Sequence, residues 1–247
     1  MLDNEMNPTT FKKLATVIPT YKESEHMTEL VHQISGLIPS ANILIINESP
    51  STHTKEIITE LNRGNVSIMN WASKLGRGSA VLEDMQIQLR LNFDYYLDMD
   101  VDFSYPLQTI SSMLKLTVQE KADLVIANRY IKNSGIINLP LAGEIFSSLA
   151  NRLCKFAIES TLSDYTNGYR IYSKRAMKFT SSHSGKIGDG FILLSTIIMQ
   201  LSKANYKIVK KETVFTNGIR VERSLSANEV VGAIMGLYKT KSLQTTL

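Results

Sequence analysis

Apolar residues come in short runs separated by amphipathic stretches, and this alternation dominates the first half of the chain. Leu14-Ala-Thr-Val-Ile18, stopped by Pro19, predicts a buried strand, and Met27, Leu30, Val31, Ile34 and Leu37 follow at the spacing of one helix face. The unit then repeats. Ile43–Ile46 predicts a strand, a polar loop runs from Asn47 to Thr52, and a helix is expected near Lys55 to Asn62. Val66–Met69 predicts the next strand, Lys74-Leu-Gly76-Arg77-Gly78 a loop, and Ser79–Leu91 a helix. Tyr95-Tyr-Leu-Asp98 reads as a strand running into a loop, Leu107–Val118 as a helix and Leu124–Ala127 as a strand. Five such alternations argue for an α/β fold, a mostly parallel sheet with helices on both faces and right-handed crossovers. Ligands of such sheets bind at the carboxyl ends of the strands, so the loops centred on Tyr21, Asn47, Gly76 and Asp100 are expected to converge.

After Asn128-Arg129-Tyr130 the rhythm changes. A turn is expected at Lys132–Gly135, a break at Pro140, and a helix over Glu144–Ile158. The turn-rich stretch Asp164–Arg170 feeds Ile171-Tyr172, and Phe191–Leu201 predicts a largely buried helix. Val230–Tyr238 predicts an apolar last helix followed by Lys239 and Lys241. It could cap the core, pair with a second copy as a homodimer, or lie peripherally in a membrane interface with its lysines at headgroup level.

Composition narrows the class only modestly. A chain of 247 residues, 43% hydrophobic and 20% charged, is ordinary for a folded domain and long enough to bury a sizeable core. A net charge of +4 suits an anionic ligand or an acidic membrane surface. Cys154 is the one cysteine, so an intrachain disulfide is ruled out, a reducing compartment fits, and a small core residue is the expected role. No run approaches the ~18 apolar residues of a membrane span. Asp3 and Glu5 interrupt a start that has no apolar core, which argues against a signal peptide. The expected location is cytoplasmic, or peripheral on the cytoplasmic face of a membrane. Nucleic acid is not an expected partner, because basic and aromatic residues do not cluster.

The candidate chemistry lies after the fourth strand, where Asp98, Asp100 and Asp102 alternate. Carboxylates gathered at a sheet edge repel one another unless a cation or hydrogen bonds hold them, and a hard divalent ion bridging protein oxygens and a diphosphate satisfies that demand. A lone Asp-x-Asp is equally compatible with a simple turn. The glycines of the Lys74–Gly78 loop allow backbone to approach a ligand, although Walker-type spacing is absent.

In order and spacing, Ile18-Pro19-Thr20-Tyr21-Lys22-Glu23, Asn47-Glu48 with Thr54, Lys74–Gly78, Asp100–Pro106, Asn128-Arg129-Tyr130 and Asp164–Arg170 resemble a family 2 glycosyltransferase of the GT-A fold. The nearest branch is the dolichol-phosphate mannose synthases and related polyprenyl-phosphate glycosyltransferases. The resemblance implies one catalytic GT-A domain over 13–226, with a loose terminus at 1–12 and a helix and tail at 227–247. It implies that Pro19, Tyr21 and Glu23 cradle the nucleobase and ribose of the donor, joined by Asn47, Glu48, Lys74 and Gly76. It implies that Asp100 and Asp102, with Ser104 completing the shell, bring Mg2+ or Mn2+ to the diphosphate. Arg129 and Arg170 match residues that contact phosphate, Asp164 and Gly168 match the turn holding Arg170, and Ser147 falls on the acceptor side. Asp102, Arg129 and Arg170 are thereby the implied catalytic set.

The implied reaction is metal-dependent, inverting transfer of a hexose from a GDP- or UDP-linked sugar to a polyprenyl phosphate, whose ionised oxygen needs no strong general base. The chain departs from the pattern at several points. Asn47-Glu48 stands for an acidic pair, Thr196 for a Glu, Gly143-Glu144 for a basic residue, and Gly218 and Ser224 for Arg and Lys. Arg220 and Arg223 lie nearby and could restore the cationic contacts. These departures leave open a soluble hydroxyl acceptor, or a sugar-nucleotide-binding protein without turnover.

Overall fold

The computed structural model describes residues 14–20, 24–47, 64–70, 77–99, 103–139, 147–149, 151–152, 154–155, 162–183 and 191–217. The first half delivers the expected units: β1 (Leu14–Thr20), α1 (Ser24–Leu37), β2 (Asn42–Asn47), β3 (Val66–Asn70), α2 (Arg77–Arg90), β4 (Tyr95–Asp98), α3 (Thr109–Gln119) and β5 (Leu124–Asn128). The second half adds β6 (Gly135–Ile137), β7 (Arg170–Ser173), α4 (Lys174–His183), α5 (Phe191–Lys203), β8 (Ile208–Glu212) and β9 (Val214–Thr216). Residues 147–149, 151–152 and 154–155 are helical, within the helix expected over 144–158. The helix expected near Lys55 and the last helix lie outside the described residues.

The main sheet has seven strands in the order β3-β2-β1-β4-β7-β5-β8, and six of them share one direction. The exception is β7, which runs antiparallel between β4 and β5. The sheet is mostly parallel, as expected, and β7 makes it mixed. β7 opens at Arg170 opposite Asp98, the last residue of β4, so the strand starts at the edge where β4 ends. β1 also continues through Pro19, which was expected to stop it. Its pairing with β4 ends at Val17↔Asp98 while pairing with β2 persists to Thr20↔Asn47. Pro19 thus lies where one neighbouring ladder has already finished, and a missing N–H is tolerated.

Both faces of the sheet are covered. Leu14, Ile18, Leu97, Val125 and Ile171 pack on one side with Met27, Leu30, Ile34, Ile110 and Leu114 of α1 and α3. Val17, Tyr96, Ile126 and Tyr172 pack on the other with Met85, Met177, Ile197 and Leu201 of α2, α4 and α5. Each such side chain contributes about 1.5–3 kcal/mol by leaving water. Tyr96 and Tyr172 face each other across β4 and β7 and stack at 5.7 Å.

A buried acid clamps the amino-terminal end of β5. Asp123 accepts bonds from Arg175 Nε (2.8 Å) and Nη2 (2.5 Å), the Lys207 amide (2.9 Å) and Ser173 Oγ (3.2 Å). Burial would raise its pKa, but the Arg175 and Lys207 bonds outweigh that and hold it below the ordinary carboxylate value.

Candidate functional site

The parallel register brings Thr20, Asn47, Asn70 and Asp98, the last residues of β1 to β4, to one edge of the sheet. Pro19 and Asn47 are accordingly strand-end positions. Arg170 enters β7 at the same edge opposite Asp98, and β5 leaves there through Asn128. Of the other expected site residues, Tyr21, Glu23, Glu48, Lys74, Gly76, Asp100, Asp102, Arg220 and Arg223 lie outside the described residues. The segment carrying the two aspartates is bracketed by buried residues: Asp98 before it and Ser104 after it are each 2% exposed. The Ser104 carbonyl accepts the Thr216 amide at 2.9 Å, which ties that bracket to β9.

The best-defined part of this edge is an arginine. Arg129 follows β5, and Asp164 of the 162–169 loop grips it: Nε donates to Oδ2 at 2.8 Å, Nη2 to Oδ1 at 2.7 Å, and the Arg129 amide to Oδ2 at 3.1 Å. Nη2 also donates to Thr166 Oγ1 at 2.9 Å. The planar guanidinium fork suits this two-point grip. Its Cζ lies 5.4 Å from the Tyr130 ring centre and 5.7 Å from that of Phe215. Burial opposes the guanidinium charge, but Tyr105 and Asp164 outweigh it, and the pKa is raised. Arg129 is therefore a permanently charged, pre-oriented cation at the carboxyl edge of the sheet. Its Nη1 takes no part in the bonds just described.

Ser147 joins the same network, because its hydroxyl and that of Tyr130 are 2.8 Å apart. One helical turn on, Asn151 donates to the Ser147 carbonyl at 2.9 Å and accepts the Tyr165 amide at 2.7 Å. Asn151 and Thr166 escaped the sequence reading. The Ser147/Asn151 spacing of one turn was the available signal, and it is a weak one because so many helical pairs share it.

Two of the expected site residues lie inside the fold. Asp164, expected in the turn that holds Arg170 and counted with the substrate-binding set, is fully buried with both carboxylate oxygens engaged by Arg129. Arg170, implied as a phosphate contact, is also fully buried. Its Nε donates to the Asn167 carbonyl at 2.6 Å, Nη2 to Tyr165 O at 2.8 Å, and Nη1 to Leu194 O at 2.8 Å and Tyr172 Oη at 3.4 Å. It does hold the expected turn, by its own donors, and fastens it to α5. Cys154 is a buried core residue as expected. Burial raises its pKa, partly offset by Ser195 and Arg170. Thr196, in place of the expected Glu, is fully buried on α5.

The family model described as "Glycosyl transferase family 2" matches residues 15–179, well over half of the chain. The chain belongs to glycosyl transferase family 2. This family 2 glycosyltransferase is 25% identical over 225 residues to the polyprenol monophosphomannose synthase of Mycolicibacterium smegmatis, covering 90% of this chain and 82% of that one. It is 24% identical over 229 residues to the undecaprenyl-phosphate mannosyltransferase of Micrococcus luteus, covering 91% and 90%. The dolichol-phosphate mannosyltransferase of Pyrococcus furiosus is 24% identical over 234 residues, 92% of this chain and 63% of that longer protein. Among solved structures, the glucosyl-3-phosphoglycerate synthase of Mycobacterium tuberculosis, crystallised with Mn2+, UDP and glucosyl-3-phosphoglycerate, superposes with a TM-score of 0.65 at 12% identity, over 97% of this chain and 84% of that one. Staphylococcus aureus TarS 1–349 with UDP-GlcNAc gives 0.59 at 13%, over 95% and 67%. These likenesses bear on the fold, and together with the sheet order they give the glycosyltransferase its expected GT-A architecture.

Proposed function

We propose that this glycosyltransferase moves a hexose from a nucleotide-diphosphate sugar to a polyprenyl phosphate with inversion at the anomeric carbon, using a divalent cation. The observation that carries the reading is the Arg129–Asp164 pair, a fixed cation at the sheet edge where β4 delivers the Asp98-Met-Asp100-Val-Asp102 stretch. The names of the three mannosyl-transferring relatives support the lipid phosphate as acceptor.

Asp100, Asp102 and Ser104 make an all-oxygen donor set suited to Mg2+ or Mn2+. Ser104, buried and tied to β9 through its carbonyl, and the β4 terminus at Asp98 flank the two aspartates in the chain. When bound, the ion neutralises charge on the departing diphosphate. Pro19, Tyr21, Glu23, Asn47, Glu48, Lys74 and Gly76 belong to the donor side of this reading, and Ser147, Arg220 and Arg223 to the acceptor side. Arg129 orients the acceptor phosphate, whose ionised oxygen bonds to the anomeric carbon as the carbon–diphosphate bond breaks and its electron pair leaves with the nucleotide. Proximity and charge pairing replace a general base. The final helix brings the enzyme peripherally to the membrane that holds the acceptor, and pairing of two copies through that helix is the accompanying oligomeric proposal.

The test uses radiolabelled GDP-mannose, UDP-glucose or UDP-N-acetylglucosamine with a polyprenyl phosphate and Mn2+. Label is expected in the organic phase and should be lost with EDTA and in Asp102→Ala. Label that stays in water-soluble product would assign a hydroxyl acceptor instead. Donor binding indifferent to EDTA and to the Asp102 substitution would remove the metal from the reading.

A further inference from the structure

The cation at the ligand edge is held by more than its carboxylate. Asn128, the last residue of β5, is fully buried, and its Oδ1 accepts two bonds, from the Tyr130 amide at 2.9 Å and from Ser163 Oγ at 3.1 Å. The first closes a local turn that sets the direction in which Arg129 and Tyr130 leave the sheet. The second reaches 35 residues along the chain to the residue preceding Asp164. The Asn128 carbonyl meanwhile accepts Ser134 Oγ at 2.7 Å, and the neighbouring Ala127 carbonyl accepts Nδ2 of the Asn167 side chain. One side chain therefore binds the backbone of the arginine segment to the loop that supplies its carboxylate.

Two accepted bonds also assign the amide orientation: the oxygen faces Tyr130 and Ser163, so Nδ2 faces away from them. Nδ2 is buried with no hydrogen-bond partner among the described residues. A buried amide donor is costly to leave unmet, and an apolar residue would avoid that cost, so the acceptor function of Oδ1 is what the position gains. A side chain serving only to fill the end of β5 would need neither atom.

We propose that Asn128 is a positioning residue for the anion site: through Oδ1 it holds Arg129 and Asp164 in the register in which the guanidinium meets a phosphate group. The inference rests on the reading of Arg129 as a phosphate contact. It concerns the phosphate-bearing acceptor rather than the nucleotide, because the side-chain bonds of Asn128 run to Tyr130 and to Ser163, the segments that carry Arg129 and Asp164.

The variants are Asn128→Leu, which keeps approximate shape and loses Oδ1, and Asn128→Ser, which restores an acceptor oxygen. Steady-state transfer to geranyl phosphate, binding of inorganic phosphate by 31P line broadening, binding of UDP or GDP with Mn2+ by calorimetry, and thermal melting are compared with the parent protein. The leucine variant should raise the KM for geranyl phosphate and weaken phosphate binding about tenfold, while kcat and metal-nucleotide affinity change less than about threefold. The serine variant should recover most of the KM. A fall in kcat and in nucleotide affinity equal to the rise in KM would mark a merely structural residue and overturn the proposal, as would a leucine variant indistinguishable from the parent. If the parent protein itself neither binds phosphate nor uses geranyl phosphate, the phosphate role of Arg129 has failed and this inference falls with it. Parent binding with unaltered variants sinks the Asn128 role alone.

Discussion

Removing Asp164 should be among the most damaging single changes at the ligand edge, and its cost can be worked from the geometry. The Asp164 side chain is fully buried and that of Arg129 is 8% exposed, so Asp164→Ala leaves a desolvated guanidinium without its partner. It also deletes the acceptor of three bonds, from Nε, Nη2 and the Arg129 amide. Breaking a buried pair from one side costs about 3–5 kcal/mol, largely the penalty on the charge left behind. For a domain of this size that lowers the melting temperature by roughly 10 °C. Arg129→Met with Asp164→Leu removes both charges and fills the space with apolar atoms, so it should recover most of the lost stability while abolishing phosphate binding. Urea unfolding of the parent, Arg129→Met, Asp164→Leu and the double variant closes the cycle, and a coupling energy above about 1 kcal/mol is expected. Additive costs, with coupling below about 0.5 kcal/mol, would refute the claim that Arg129 is held by this carboxylate.

Asp123→Ala should cost about 2–3 kcal/mol, mainly from the part-buried bonds to the Lys207 amide and Ser173, since Arg175 is 65% exposed and its pairing is screened by solvent. Because the folded pKa of Asp123 is lowered, its contribution is complete above the ordinary aspartate value of ~3.9 and is lost as pH falls below it. Denaturation midpoints of parent and variant should converge on acidification, and a constant gap would contradict the assignment. Arg170→Lys should lower the urea midpoint by the equivalent of about 2–4 kcal/mol, because one ammonium cannot reach carbonyls on Asn167, Tyr165 and Leu194 together. An unchanged midpoint would show those bonds to be idle. Cys154, buried and with a raised pKa, should resist thiol reagents at pH 8 until the protein unfolds, and rapid native labelling would place it at the surface instead.

β1, β2, β4 and β5 were legible because they are buried inside the sheet and read as near-continuous apolar runs, and β3, an edge strand with Ile68 40% exposed, still showed its Val66, Ile68 and Met69. The elements that escaped lack such a signal for separate reasons. β7 has four residues, opens on a charged arginine, and owes its burial to the strands on either side. β8 is an edge strand with Lys210 and Lys211 at its centre. α4 buries only Ala176, Met177 and Thr180, too few large apolar side chains to show a helical stripe. β6 and β9 are three residues each and find one another across most of the second half of the chain, a pairing no local pattern can announce.

The site was legible as a set of charges but not as a set of partners. Arg129, Asp164 and Arg170 all stood out in the sequence, yet what separates their roles is where each side chain's hydrogen bonds end. Arg129 follows the last residue of β5, beyond the sheet's lateral pairing, so its fork is met by one carboxylate arriving from a loop 35 residues away. Arg170 lies in β7 with β4 on one side and β5 on the other, fully buried, and its donors turn to three backbone carbonyls and the Tyr172 hydroxyl. Two arginines of identical chemistry thus divide the work because the antiparallel strand carries one into the sheet while the parallel strand releases the other at the sheet's end. Arg170 rigidifies the 165–167 turn, that turn contributes Thr166 to Arg129, and the stiffness of the buried arginine reaches the ligand edge through the other. Charge at a strand terminus marks a candidate contact, and whether the strand is arriving or leaving decides what the charge can touch.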